Sequence, residues 1–199
     1  MFSSPGLALT ALLAVASAFP TTTTTINSTL ETRDVSTINL HVYNNCPFPK
    51  AFAIYQIAQP AYEMIQKSSP ITLEPKTNHI LPASFYDLGM RLSGHAEWGT
   101  ARQWNAQALF EFGYAVVGGK KGTAYNLSVM KGSDENIGVG VYPIANGQGS
   151  GTCHSKTCFP WDCPLNQGWT DPAQVKVGSP ADDGCYTGAK TDFKVVFCP

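Results

Sequence analysis

The sequence has no excess charge of either sign: 13 Lys and Arg stand against 14 Asp and Glu over 199 residues, a formal net charge of −1. Without a basic stripe it has nothing to draw nucleic acid or an anionic membrane surface, so neither is expected as a partner. Beyond the N-terminus no stretch reaches the roughly 18 consecutive apolar residues of a spanning helix. No hydrophobic C-terminal tail marks a lipid anchor. Sustained helical periodicity is missing, as are internal repeats and any shift of composition that would mark a second domain. The cluster Gly118-Gly119-Lys120-Lys121-Gly122 lacks the spacing of a phosphate-binding loop, and no helix signal follows it. A nucleophile elbow for Ser-His-Asp chemistry is absent. His95 and Glu97 form an H-x-E pair, but the P-C-x-x-C partner of a zinc deaminase is not there. No cofactor and no metal are expected, and the chain reads as a monomer.

Cysteine is where the sequence becomes informative. Five of the six lie between Gly151 and Pro199, as Cys153, Cys158, Cys163, Cys185 and Cys198, and Cys46 stands alone far upstream. An odd local cluster cannot pair wholly within itself, so at least one thiol reaches out or stays free. An even total in an exported chain implies three disulfides, although spacing does not choose the pairing. A zinc site built from Cys153, Cys158, Cys163 and His154 is disfavoured, because the cysteines lack paired C-x2-C spacing.

Export is read from residues 1–18: an apolar run from Leu7 to Val15 precedes Ala16-Ser17-Ala18, the small-x-small pattern of signal-peptide cleavage. Residues 19–37 form a threonine-rich leader with Thr21 to Thr25 and the sequon Asn27-Ser28-Thr29. The leader has too few apolar residues to fold and is expected to be a flexible, glycosylated tail. One domain is expected over 38–199.

Period-two patterning begins with Ile38, Leu40 and Val42 alternating with polar neighbours, a strand with one buried face that ends at Pro47. Further strands are read at Ala51–Ala58, Ile71–Leu73, His79–Leu81, Phe85–Leu92, Gln107–Val117, Thr123–Met130, Ile137–Tyr142 and Asp192–Phe197. Gln59–Ser69 is ambiguous and could hold a helical turn, Gly118–Gly122 is a turn, and Asn146–Gly151 is a loop. Many short strands with regular turn signals indicate an all-β sandwich, with a closed barrel as the alternative.

Several motifs then converge on a family. Val42-Tyr43-Asn44-Asn45-Cys46-Pro47 resembles the opening strand of thaumatin-like proteins, and Cys153-x4-Cys158 with Cys163-Pro164 resembles their mid-chain cysteine series. Phe193 to Pro199 is similar to their last strand. Phe110-Glu111-Phe112 and Ala124-Tyr125-Asn126-Leu127-Ser128 through Lys131-Gly132 resemble a small fungal subgroup, the Blastomyces yeast-phase-specific or antigenic thaumatin-domain family. The resemblance spans Ile38 to Pro199. It implies a flattened, thaumatin-like β-sandwich with a disulfide-rich C-terminal loop region, and bridges Cys46–Cys198, Cys153–Cys185 and Cys158–Cys163.

The family resemblance also implies an acidic cleft, and in some members β-1,3-glucan binding or hydrolysis. Glu111 falls at the cleft glutamate. Asn126 stands where the related motif has aspartate, and Thr123-Ala124 lacks the neighbouring acid. Because glycoside hydrolysis needs two carboxyl groups, the remaining candidates for the second are Asp134 and Glu135. A neutral amide is neither base nor nucleophile, so the expected function is non-enzymatic contact with β-glucan or another cell-wall polysaccharide, or with a host protein. The alternatives are an endo-β-1,3-glucanase with a reduced acidic cleft, or a secreted effector or antigen binding a host protein. Asn126-Leu127-Ser128 is also a glycosylation sequon. Trp98, Trp104, Trp161, Trp169, Tyr86 and Tyr186 are candidates for stacking on sugar faces. Asp87, Arg91 and Arg102 read as surface or turn charges, and His154 as a loop residue.

Overall fold

The computed structural model describes residues 37–144, 153–178 and 180–199. The expected signal peptide, the Asn27 sequon, almost all of the expected leader and the expected loop at Asn146–Gly151 lie outside the described residues. Twelve strands are present among the described ones: β1 (Thr37–Asn44), β2 (Lys50–Ala58), β3 (Glu63–Gln66), β4 (Ile71–Leu73), β5 (Thr77–Ser84), β6 (Met90–Ser93), β7 (Ala108–Val117), β8 (Lys120–Val129), β9 (Val139–Ile144), β10 (Lys156–Cys158), β11 (Asp183–Cys185) and β12 (Asp192–Phe197). Among the described residues helical structure is confined to 3-10 turns at Ala96–Trp98, Thr100–Arg102 and Pro172–Val177.

The strands form two sheets, ordered β10-β9-β12-β1-β5 and β11-β8-β7-β6-β2-β3, with β4 added beside β2. The alternation read in Ile38, Leu40 and Val42 is what buries one face of β1, at 0–1% exposure. β1 runs parallel to β12 with Leu40 opposite Phe193, and antiparallel to β5. From the other sheet Phe52, Ile54, Leu92, Phe110, Tyr125 and Leu127 point into the same core. Phe193 meets Phe110 at 5.3 Å and Tyr125 at 5.1 Å between ring centres, and Phe52 meets Phe197 edge-on at 5.0 Å. These aromatic contacts fasten the sheets face to face, as an all-β sandwich.

The chain ends are tied together. The Asn44 side chain, fully buried, donates to the carbonyls of Phe48 and Leu73 at 2.8 and 2.9 Å and accepts from Cys46 N–H at 3.1 Å. Asn45 Nδ2 donates to the Cys198 carbonyl at 2.6 Å. Beside these bonds Cys46 is disulfide-bonded to Cys198. The other bridges join Cys153 to Cys185 of β11 and Cys158 of β10 to Cys163.

Three local readings change. The segment Gln59–Ser69 holds strand β3, paired with β2 through Ile57 and Met64, and not a helical turn. The expected strand Phe85–Leu92 begins only at Met90, and Phe85 packs against Tyr86 and Tyr114 instead. At the glycine cluster only Gly118 and Gly119 form the turn, both at positive φ (57° and 76°), while Lys120 to Gly122 belong to β8. Positive φ at both central residues matches the twist of the flanking strands.

Candidate functional site

Phe110 and Phe112 point into the core, so the residue between them faces outward. That residue is Glu111. Strand register places Arg91 of β6 opposite Glu111 on one side and Asn126 of β8 opposite it on the other. The row Arg91–Glu111–Asn126 therefore crosses three strands on the sheet's outer face.

Arg91, expected at the surface, is only 8% exposed. The loop carrying the first two 3-10 turns accounts for this: Arg91 Nη1 donates to the Gln103 carbonyl at 3.3 Å, and the Trp104 ring lies 5.6 Å from the guanidinium carbon. Arg91 Nη2 donates to Glu111 Oε1 at 2.8 Å. Arg91 Nε and Asn126 Oδ1 are buried without a protein partner. Burial pushes the Glu111 carboxyl above its ordinary range; Arg91 pulls it back, and the negative charge of Asp182 adds to the rise.

A cleft of about 330 Å³ opens over the Glu111–Asn126 end of this row, lined also by Tyr114, Asp182, Asp183 and Tyr186. The last three arrive through β11, which pairs with β8 so that Asp183 lies opposite Tyr125. Gly122 makes that approach feasible, since a Cβ there would run into the Cys185 carbonyl. The Cys153–Cys185 bridge holds the same corner.

Each acid of the cleft is already engaged. Trp169, 7% exposed and bound by its backbone to Leu127 and Val129, donates from Nε1 to Asp182 Oδ1 at 3.1 Å. Asp183 Oδ2 accepts from the His154 backbone at 3.2 Å and lies 3.1 Å from His154 Nδ1. Tyr125 donates its hydroxyl to the His154 carbonyl, and burial, followed by the Asp183 charge, raises that phenol well above the usual range. A second cavity of about 510 Å³ shares Asp182 and Asp183 and is lined by His154, Lys156 and Asn166. Lys156 Nζ donates to the Asn166 carbonyl at 2.6 Å and lies 4.0 Å from Asp183; burial lowers its pKa against the pull of that acid.

Asp134 and Glu135 are not among the residues lining the cleft. Asp134 Oδ2 meets His95 Nε2 at 2.5 Å, and Glu97 Oε1 meets His95 Nδ1 at 2.8 Å. Trp98 stacks on that imidazole at 4.0 Å, with Arg102 5.2 Å from the Trp98 ring. The H-x-E spacing is thus taken up by a direct histidine–carboxylate contact. Asp87 pairs with Lys67 at 3.0 Å.

The acids that join Glu111 are Asp182 and Asp183, which reading the sequence did not single out. Their only local signal is two adjacent acids before a glycine and a cysteine. Among the candidate aromatics, Tyr186 lines the cleft, Tyr86 packs on the lining Tyr114 at 5.3 Å, and Trp104 covers Arg91. Trp169 supports Asp182 from beneath, whereas Trp98 belongs to the His95 cluster.

No family model matches the chain, and no curated protein matches it in sequence. Among solved structures it is similar to the protein elicitor MoHrip2 from Magnaporthe oryzae, at a TM-score of 0.49 and 16% identity over 81% of this chain and 99% of that one. It is also similar to the thaumatin-like xylanase inhibitor TLXI, at a TM-score of 0.44 and 14% identity over 80% of this chain and 99% of that one. The two-sheet sandwich with three bridges stands on the chain's own strand pairing and disulfides.

Proposed function

We propose that this is a secreted, non-enzymatic thaumatin-like protein whose Glu111 cleft holds a neutral cell-wall polysaccharide of the β-glucan type. The observation that carries this reading is the engagement of all three cleft acids: Glu111 by Arg91, Asp182 by Trp169 and Asp183 by His154. Such carboxylates are fixed acceptors for sugar hydroxyls, and Tyr114 and Tyr186 add aromatic wall. Hydrolysis instead requires one acid free to protonate the leaving oxygen and a second to act on the anomeric carbon or on water. Secretion is supported by the signal-like N-terminus and by three disulfides, which persist in oxidising compartments.

One observation favours a hydrolytic alternative: burial raises the Glu111 carboxyl, and Asp182 is in the same cleft, the pairing of acid and second carboxylate that glycosidases use. The two readings separate in one assay. The mature protein is incubated with insoluble β-1,3-glucan, and the pellet is assayed for protein and the supernatant for new reducing ends. The binder reading expects protein in the pellet, no new reducing ends, and weaker pelleting by Glu111→Gln. New reducing ends that vanish in Glu111→Gln would establish the hydrolase. Protein that stays in solution with no sugar released would refute both.

A further inference from the structure

The Cys158–Cys163 bridge closes a very small ring of chain. Inside it Phe159 and Asp162 exchange two backbone hydrogen bonds, of 3.2 and 3.1 Å, forming a miniature hairpin with Pro160 and Trp161 at its tip. The base of the ring is sunk into the protein. Cys158 is fully buried, and Phe159 lies where Gly138 has no side chain, since a Cβ at Gly138 would collide with its ring. The tip, by contrast, stands in solvent. Trp161 is 66% exposed, the highest value of any large apolar side chain among the described residues. Phe159 backs it at 5.1 Å between ring centres, with the planes tilted by 30°. Asp162, next in the chain, is also exposed.

Among the described residues, Phe159 is the one ring that packs on this indole. An exposed tryptophan held by a disulfide, two backbone bonds and a proline is preorganised, so little conformational entropy remains to be lost when it binds. We propose that the Trp161–Asp162 tip is a second carbohydrate contact, separate from the Glu111 cleft: the indole face covers the C–H face of a pyranose ring and the Asp162 carboxylate accepts a neighbouring hydroxyl. The proposal rests on the polysaccharide reading of the cleft and adds to it. A protein partner fits less well, because one indole and its neighbour Pro160 fall far short of the ~800 Å² per side of a specific protein interface. Asp162 is the only charged residue between Cys158 and Cys163, and its sign gives no attraction to an anionic membrane. A polysaccharide surface offers repeated pyranose faces, and a single ring suffices there when a second site on the same protein is engaged.

A polymer long enough to reach both sites then gains from effective concentration, whereas a trisaccharide in the cleft does not. The test compares full-length mature wild type, Trp161→Ala, Trp161→Tyr and Glu111→Gln in two assays: pelleting on insoluble β-1,3-glucan, and calorimetric titration with a soluble β-1,3-linked trisaccharide. Trp161→Ala is expected to lose about tenfold or more in apparent affinity for the insoluble polymer while binding the trisaccharide as wild type does, which also shows that its cleft is folded. Trp161→Tyr should retain most of the pelleting. Glu111→Gln should lose trisaccharide binding and pellet more weakly. Pelleting of Trp161→Ala equal to wild type overturns the tip proposal and leaves the cleft reading standing. Loss of trisaccharide binding in Trp161→Ala also overturns it, because the contact would then not be separate. If only Glu111→Gln behaves as wild type, the cleft reading fails and the tip survives; if wild type does not pellet, both fail.

Discussion

Arg91 and Glu111 face each other across β6 and β7 and are bonded at 2.8 Å, the arginine side chain 10% and the glutamate 27% accessible. A pair so placed has surrendered most of its hydration, and its attraction only partly offsets that loss. Removing one partner therefore does more harm than removing both. Arg91→Met leaves a carboxylate on the cleft floor that burial already disfavours, and should destabilise the protein by about 2–3 kcal/mol, less than a fully buried pair because Glu111 keeps some water. Arg91→Met combined with Glu111→Met should recover much of the loss. Urea unfolding of the two singles and the double closes the cycle, and additive effects would show that the pair is not coupled.

Asn126 lies opposite Glu111 on β8, with its carbonyl oxygen buried and lacking a partner. Asn126→Asp keeps the shape and adds a like charge directly across the strand, a destabilising arrangement. The Glu111 carboxyl, already raised by burial, should rise further and Asn126→Asp should lose about 1 kcal/mol at pH 7, recovering it as the pH falls toward 4. The check is stability against pH for both proteins; parallel curves would mean that the two side chains do not sense each other.

The sequence exposes only part of this row of side chains. The alternation of Phe110, Glu111 and Phe112 announces an outward acid, and the single strand β1 is legible for the same reason. Arg91 sits in the same pattern between Met90 and Leu92, yet its burial comes from a loop folding over the outer face, and no periodicity encodes that. β3 escaped because only Met64 of its four residues is buried, leaving too little contrast to separate strand from turn. Asp182 and Asp183 reach Glu111 through the pairing of β11 with β8, a contact between segments far apart in the chain. The glycine that admits it, Gly122, reads locally as part of a turn.

Lys50 provides a pH test away from the cleft. It is 6% exposed, its ammonium is 5.8 Å from the Phe48 ring centre, and burial pushes its pKa below 10.5 against the pull of Asp134 and Glu97. Because the folded value is the lower one, the unfolded chain holds the proton more tightly, and stability rises with pH between the folded value and 10.5. Below the folded value the native state carries the whole penalty. Lys50→Met should flatten this alkaline rise in denaturant midpoint below pH 10.5, with little change in the slope at acid pH. An unchanged alkaline slope would show that Lys50 is not responsible for it.

The bridges differ in what they constrain. Cys46 and Cys198 are 152 residues apart, while Cys158 and Cys163 are 5 apart. In the chain-entropy account the long loop restricts the unfolded ensemble by about 5 kcal/mol and the short one by about 2 kcal/mol. Native geometry points the same way: Cys46–Cys198 sits beside the parallel β1–β12 pairing and the Asn45–Cys198 bond, so its loss also loosens the meeting of the chain's two ends. The short bridge closes the Trp161 hairpin at the end of β10, with Cys158 in the core. Replacing Cys46 and Cys198 together by Ala should therefore lower global stability by about 3–5 kcal/mol, with faster hydrogen exchange in β1 and β12. Replacing Cys158 and Cys163 should cost about 2 kcal/mol or less and leave exchange in both sheets intact while protection at Phe159 and Asp162 is lost. Equal losses from the two pairs would show that loop length does not govern the stabilisation, and that local packing at the short bridge matters as much as the closure of the chain.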